Sequence, residues 1–154
     1  MTDQGLLLHL SSIRVDDPSH SKKRVLEQAA QLLSRGDNEL GVGIFERLLE
    51  RERLGSTGLG EGVALPHARM PGITESRASF LRLSEPVDFD SIDGEPVDLV
   101  YALLVPENAT EEHLKLLAEL ARLFHDPALR KQLRHADAEQ ARGLLTHSTA
   151  HDAA

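Results

Sequence analysis

The 154-residue chain has no cysteine and no tryptophan, one tyrosine and four phenylalanines. Without cysteine there is no disulfide, no thiolate metal site and no cysteine nucleophile. Aromatic residues, at 3%, leave few platforms on which bases could stack. Basic residues are outnumbered, 17 Lys and Arg against 25 Asp and Glu, giving a net charge of −8. Phosphate backbones need a basic face to displace their counterions, so no nucleic acid partner is expected. Long apolar runs are missing as well. The longest, Leu99–Val105, has seven residues, against the ~20 that a membrane helix requires. The opening MTDQGLLLHL carries an early Asp3 and only three consecutive leucines, too little for a secretory signal. No membrane insertion is expected, and the cytoplasm is the expected location.

The length matches a single domain by the usual range of roughly 100–200 residues, and such a chain buries about two-thirds of its unfolded surface. No internal repeat or linker divides it, so one domain is expected over residues 6–147, followed by a loose polar tail over 148–154. Val25, Leu26, Ala29, Leu32 and Leu33 recur at helical spacing and predict a helix from about Ser21 to Arg35, stopped by Gly36. A second helix is predicted from about Glu39 to Arg53, capped by Asp37 or Asn38, with Gly55 just past its end. A strand is predicted to end near His67, and Ser79–Leu83 reads as another. Val97–Val105, apolar almost throughout and bounded by Pro96 and Pro106, reads as a buried strand.

Thr110 is predicted to cap a helix running to about His125, with Leu114, Leu117, Leu120, Ala121 and Phe124 as its core face. Asp126-Pro127 looks like a cap with proline at the first helical position, and Asp137 with Gln140 like a capping box. Helices, strands and helices in this order predict an α/β (α+β) fold, a single mixed β-sheet flanked by helices. The segment before Ser19 gives no pattern.

Candidate chemistry concentrates in GSTGLGEGVALPHAR, Gly55–Arg69. Glycines at 55, 58, 60 and 62 allow tight turns and a close backbone approach to an anion. The segment is neither a P-loop, since no lysine lies between Lys23 and Lys115, nor a dinucleotide fingerprint, which would need glycine where Val63 stands. His67 follows Pro66, whose fixed backbone aims it. Imidazole is a good neutral nucleophile near neutral pH.

Other clusters fail. DFDSIDG, Asp88–Gly94, imitates a calcium loop but has Ile92 at its fifth position and Leu99 at its twelfth. His67 and His113 lack an evident third ligand for zinc, so no metal site and no cofactor are expected. Lys22, Lys23 and Arg24 read as a helix-start face, His147 and His151 as a solvated pair, and the leucine stripe from Leu114 as core.

Gly55–Arg69 resembles the phosphorylation-site segment of the enzyme IIA components of the bacterial phosphotransferase system, fructose/mannitol type. The runs SKKRVLEQAA (Ser21–Ala30), RERLGSTG (Arg51–Gly58), Asp88–Pro106 and EEHLKLLAELARLF resemble its nitrogen-regulatory branch. The resemblance covers nearly the whole chain. One departure is Ala68, where many members have glycine.

The resemblance implies that His67 accepts a phosphoryl group on Nε2 from an HPr- or NPr-type phosphocarrier. It implies that His113 and Arg51 face the same pocket, and that regulatory target proteins in the cytoplasm respond to the phosphorylation state. Arg51 would supply a charged fork for the phosphoryl oxygens. The expected remaining donors are Ser56, Thr57 and Gly58, together with N–H groups near His113 at the start of its helix. Read alone, Arg51 among Arg47, Glu50, Glu52 and Arg53 is a solvated helix face. Likewise His113 is an exposed helix-start residue, and Ser56 and Thr57 close a turn.

Two alternatives stand beside this reading. One is a sugar-transport component passing phosphate to a separate IIB, a fused cysteine-bearing IIB being absent from these residues. The other is a non-catalytic anion-binding module. The net charge of −8 suits docking to a carrier with a basic face, as the resemblance implies. The six other histidines, His9, His20, His125, His135, His147 and His151, are expected at the surface.

Overall fold

The computed structural model describes residues 12–153, without the side chains of Thr110 and 147–153. The expected domain start at Leu6, the N-terminal leucines and His9 therefore lie outside the described residues, as do the side chains of His147 and His151.

β6 (Val97–Pro106) is the central strand of a six-stranded mixed sheet. Its apolar run is nearly continuous because both faces are covered. From Leu99 on, Leu99, Tyr101, Leu103 and Val105 belong to one core cluster and Val100, Ala102 and Leu104 to the other, as a period of two requires. Val97 joins the second cluster out of phase, beside an irregularity in the pairing with the neighbouring strand. Each fully buried leucine contributes about 2 kcal/mol relative to exposure. β5 (Arg77–Val87) pairs antiparallel with β6, and β1 (Ile13–Asp17) lies parallel to β5 at the edge. β5 is longer than the predicted Ser79–Leu83, continuing past an irregularity between Arg82 and Val87. β1 gave no usable pattern because only Ile13 and Val15 are apolar, and its register is interrupted between Arg14 and Asp17.

On one face pack α1 (Lys22–Ser34) and α2 (Asn38–Leu54), through Val25, Leu26, Leu33, Ile44 and Leu48. The predicted cap Asp37 accepts from the Leu40 N–H, and Ser21, where the first helix is expected to begin, caps it by accepting from the Arg24 N–H. The other face is covered by α3 (Thr110–Phe124), α4 (Pro127–Leu133) and α5 (Ala138–Ala153), through Leu120, Leu123, Phe124, Leu129, Leu133 and Leu145. Asp126 caps α4 at the Ala128 N–H, and Asp137 and Gln140 exchange both capping-box bonds at 3.0 and 2.8 Å. The layers are those expected: a single mixed sheet flanked by five helices among the described residues. None of these helices is long and apolar enough to cross a membrane.

Two expectations change. α3 has Ala109 rather than Thr110 at its N-cap, without a side-chain capping bond. The α5 backbone is helical from Ala138 to Ala153, and no glycine or proline follows Gly143 to stop it. Leu114 is 63% exposed, so the leucine stripe meets the core at Leu117, half-buried, and Leu120 but not at Leu114.

Most important for the site, the strand at His67 begins there instead of ending. β3 (Val63–Ala64) and β4 (His67–Met70) both run parallel to β6 in one register, Val63 opposite Leu99 and His67 opposite Leu103. The break falls at Leu65-Pro66. Proline has no N–H to give the ladder, but the Pro66 carbonyl still accepts from Leu103 N at 2.9 Å.

Candidate active site

His67 stands where the interrupted strand resumes, half-buried at the floor of a cleft of about 690 Å³. The last turns of α2 supply Arg47, Glu50, Arg51, Arg53 and Leu54, β4 supplies Ala68 and Arg69, and α3 supplies His113, Leu114 and Leu117. The structure thus brings His67, His113 and Arg51 together. The two histidine rings have centroids 5.3 Å apart and planes tilted by 56°.

The orientation of the His67 ring is set by its own backbone. Nδ1 lies 2.8 Å from the Leu65 carbonyl oxygen. A carbonyl only accepts, so Nδ1 carries the hydrogen and, in the neutral ring, the lone pair is on Nε2. Burial lowers the pKa of His67, and the Arg51 charge adds to this. The hydrogen bond to Leu65 and the nearby Glu52 oppose the shift. The direction favours the neutral, nucleophilic ring.

His113 is buried, not exposed. Its pKa is pushed down to about 4, first by burial and then by the His67, Arg69 and Arg51 charges. Its Nδ1 has no hydrogen-bond partner among the described residues. Its backbone N–H is already committed to the Ala109 carbonyl at 3.0 Å, so what it offers the cleft is its ring. Arg51 is held by a hydrogen bond from Nη1 to the Gly55 carbonyl, 2.9 Å, at the end of α2. One bond leaves most of its five donors available.

The structure does not bring Ser56, Thr57 and Gly58 to this cleft. The Ser56 hydroxyl donates to the Phe89 carbonyl and accepts from the Gly58 N–H. Thr57, buried, donates both its hydroxyl and its N–H (3.1 Å) to the Glu52 carboxylate. Glu52 is not part of a solvated face either. It is 6% exposed and pairs with Lys22 Nζ at 2.8 Å, while Lys22 also lies over the Phe89 ring, 5.2 Å from its centroid.

The glycine run is a hairpin and not an anion cradle. β2 (Gly58–Gly60) pairs antiparallel with β3 through a turn in which Glu61 and Gly62 have φ of +58° and +81°. Both central residues lie in the left-handed region, as a type I′ turn requires. A Cβ at Gly62 would also sit 2.9 Å from Asp98 Oδ1, whose carboxylate holds Arg134 at 2.9 and 3.0 Å. In the acidic loop, Asp93 accepts from the Glu61 and Glu95 N–H groups.

Sequence reading passed over Arg69, Arg47, Arg53, Leu54 and Leu114 as cleft residues. The signals were present: residues two apart share a strand face, so Arg69 follows His67 once the strand is continued. Arg47, Arg51 and Leu54 are spaced by four and three residues along one helix face. His20, His125 and His135 are exposed as expected.

A neutral imidazole with a free Nε2, an arginine fork and a second neutral imidazole, open to solvent on one side, suit a nucleophile that receives an anionic group. Residues 6–147 match the family described as "Phosphoenolpyruvate-dependent sugar phosphotransferase system, EIIA 2". The chain is 50% identical over 128 residues to the "Nitrogen regulatory protein" of Pseudomonas aeruginosa, covering 82% of this chain and 83% of that relative. Among solved structures it superposes on nitrogen regulatory protein IIA-Ntr from Neisseria meningitidis, with TM-score 0.88, 46% identity and coverage of 94% and 99%. The fold is also that of IIA mannitol from Escherichia coli, with TM-score 0.73 at 22% identity and coverage of 89% and 97%. The chain belongs to the EIIA 2 family of the phosphoenolpyruvate-dependent sugar phosphotransferase system, in its nitrogen-regulatory branch.

Proposed function

We propose that the protein is a phosphoryl carrier. It takes a phosphoryl group on His67 Nε2 from an HPr- or NPr-type phosphocarrier, and its phosphorylation state regulates cytoplasmic partner proteins. The observation that carries this reading is the bond between Nδ1 and the Leu65 carbonyl, which commits the other nitrogen to the open cleft. In the transfer, the Nε2 lone pair forms a bond to phosphorus as the P–N bond of the donor's phosphohistidine breaks. The departing imidazole keeps that electron pair. The transition state is loose, with charge on the equatorial oxygens, so positioning and electrostatics do most of the catalysis. Arg51 meets those oxygens with charge-assisted donors, and His113, neutral, offers one ring N–H.

The product places about −2 charge at one surface, enough to recruit or repel a partner locally. Incubation with a phosphorylated HPr-type carrier is expected to give one acid-labile phosphate per chain, absent from His67→Ala at unchanged melting temperature. Pull-downs from lysate are expected to differ between the labelled and unlabelled forms. No label from any HPr-type donor would overturn the reading, and onward transfer to a purified IIB domain would move it to sugar transport.

A further inference from the structure

The −8 charge of the chain is not spread evenly. The cleft around His67 is lined by Arg47, Arg51, Arg53 and Arg69 against a single carboxylate, Glu50. Arg47, Arg53 and Arg69 are exposed and Arg51 is half-buried. Other acidic groups nearby lie outside this lining. Glu52 is turned inward onto Lys22 and Thr57. Glu111 and Glu112, exposed on the first turn of α3, are not among the lining residues, and Lys115 follows one turn later. The same cleft is lined by Leu54, 85% exposed, and Leu114, 63% exposed, two of the five large apolar side chains exposed among the described residues.

Exposed apolar side chains lining one cleft together with arginines have the composition of a protein interface. At physiological ionic strength charges are screened beyond about 8 Å. A docked protein therefore senses the sign at the mouth and little of the charge elsewhere on the surface. Net charge would select a basic partner, whereas the local field selects the opposite.

We propose that this mouth is a docking face for a phosphocarrier whose own face, around its phosphohistidine, sets acidic side chains about an apolar centre. Arg47 and Arg53 are its specificity-determining residues. The proposal rests on the phosphoryl-accepting reading of His67 and concerns which donor reaches it.

The test uses one HPr-type carrier in two forms that differ only by acidic or basic side chains around the active histidine. Both are phosphorylated with phosphoramidate and then freed of it. The acidic form is expected to transfer to the wild-type protein about tenfold faster at low salt, a steering effect that shrinks as salt rises. Arg47→Glu/Arg53→Glu is expected to reverse the order, while direct labelling of His67 by phosphoramidate stays unchanged and shows the nucleophile intact.

Faster transfer from the basic form, or an order that the double variant leaves unaltered, would overturn the proposal. Calorimetric binding of the two unphosphorylated carriers separates it from the parent reading. Tighter binding of the acidic form without any label on His67 would keep the docking face and sink the phosphoryl-accepting role. Equal or reversed binding would sink the docking face.

Discussion

The cleft at His67 and the charged knot beneath the glycine hairpin are built from adjacent residues of the last turn of α2, and they use charge in opposite ways. Arg51 faces the cleft, half-exposed, with one hydrogen bond to Gly55. Glu52, next in the chain, is buried, ion-paired to Lys22 and bonded twice by Thr57. A buried charge is tolerable only when its partners are complete, and such a charge has little left to offer a ligand. A charge kept partly in water avoids that desolvation cost and keeps its donors for an incoming anion. The glycine segment read as one phosphate site therefore divides in two, Arg51 and His67 lining the cleft and Glu52, Ser56, Thr57 and Gly58 bonded within the scaffold.

The sharpest way to break this comparison is to truncate the two neighbours separately. Arg51→Ala is expected to slow phosphoryl transfer from a carrier by about 10²–10³-fold, with less than about 1 kcal/mol lost in urea unfolding. If both rate and stability collapse together, Arg51 belongs to the knot. Glu52→Ala is expected to do the reverse. It strands the Thr57 donors and takes from Lys22 its nearest partner, leaving it Asp90 at 3.5 Å. Unfolding free energy falls by about 3 kcal/mol, while the folded fraction still takes label. Unchanged stability in that variant would remove the knot from the scaffold.

A smaller effect sharpens the cleft side. The unfolded chain protonates His113 near its ordinary value of 6.5, whereas the folded protein resists until about 4. Its contribution to stability is thus full above the unfolded value and is lost as pH falls toward the folded one. The expected loss from this group is about 2 kcal/mol between pH 7 and 5, and the lowered pKa of His67 acts in the same direction. Urea unfolding of His113→Gln at the two pH values should show a flatter acid limb. An unaltered slope would mean that the ring is not held neutral by the cleft.

Local features were legible where the cause lies within a few residues. The caps at Ser21, Asp37, Asp126 and Asp137 are bonds to N–H groups two or three positions away. The resemblance pointed to His67 and its two companions because the motifs around them are specific. Pro66 was read as an aiming device, but the strand was ended there. Only the shared register of β3 and β4 against β6 shows that the edge tolerates the missing donor and carries on to Arg69. Glu52 was misread because no local pattern separates a glutamate on a solvated turn from one facing a lysine thirty positions earlier. β1 was missed because two apolar residues do not make an alternation.

By itself the sequence determined the layer order, the helix boundaries, the central strand and the identity of the histidine that meets Arg51 and His113. These follow from periodicity, capping chemistry and motif, all short-range. Tertiary structure alone decided which nitrogen of His67 is open, which of Arg51 and Glu52 faces water, and the sign of the charge around the cleft. Each of those depends on distant segments converging: Leu65 turning its carbonyl back under the ring, Lys22 and Thr57 closing over Glu52, and two helix ends meeting a strand. Burial and electrostatic environment are properties of that convergence, and no count of charges along the chain contains them.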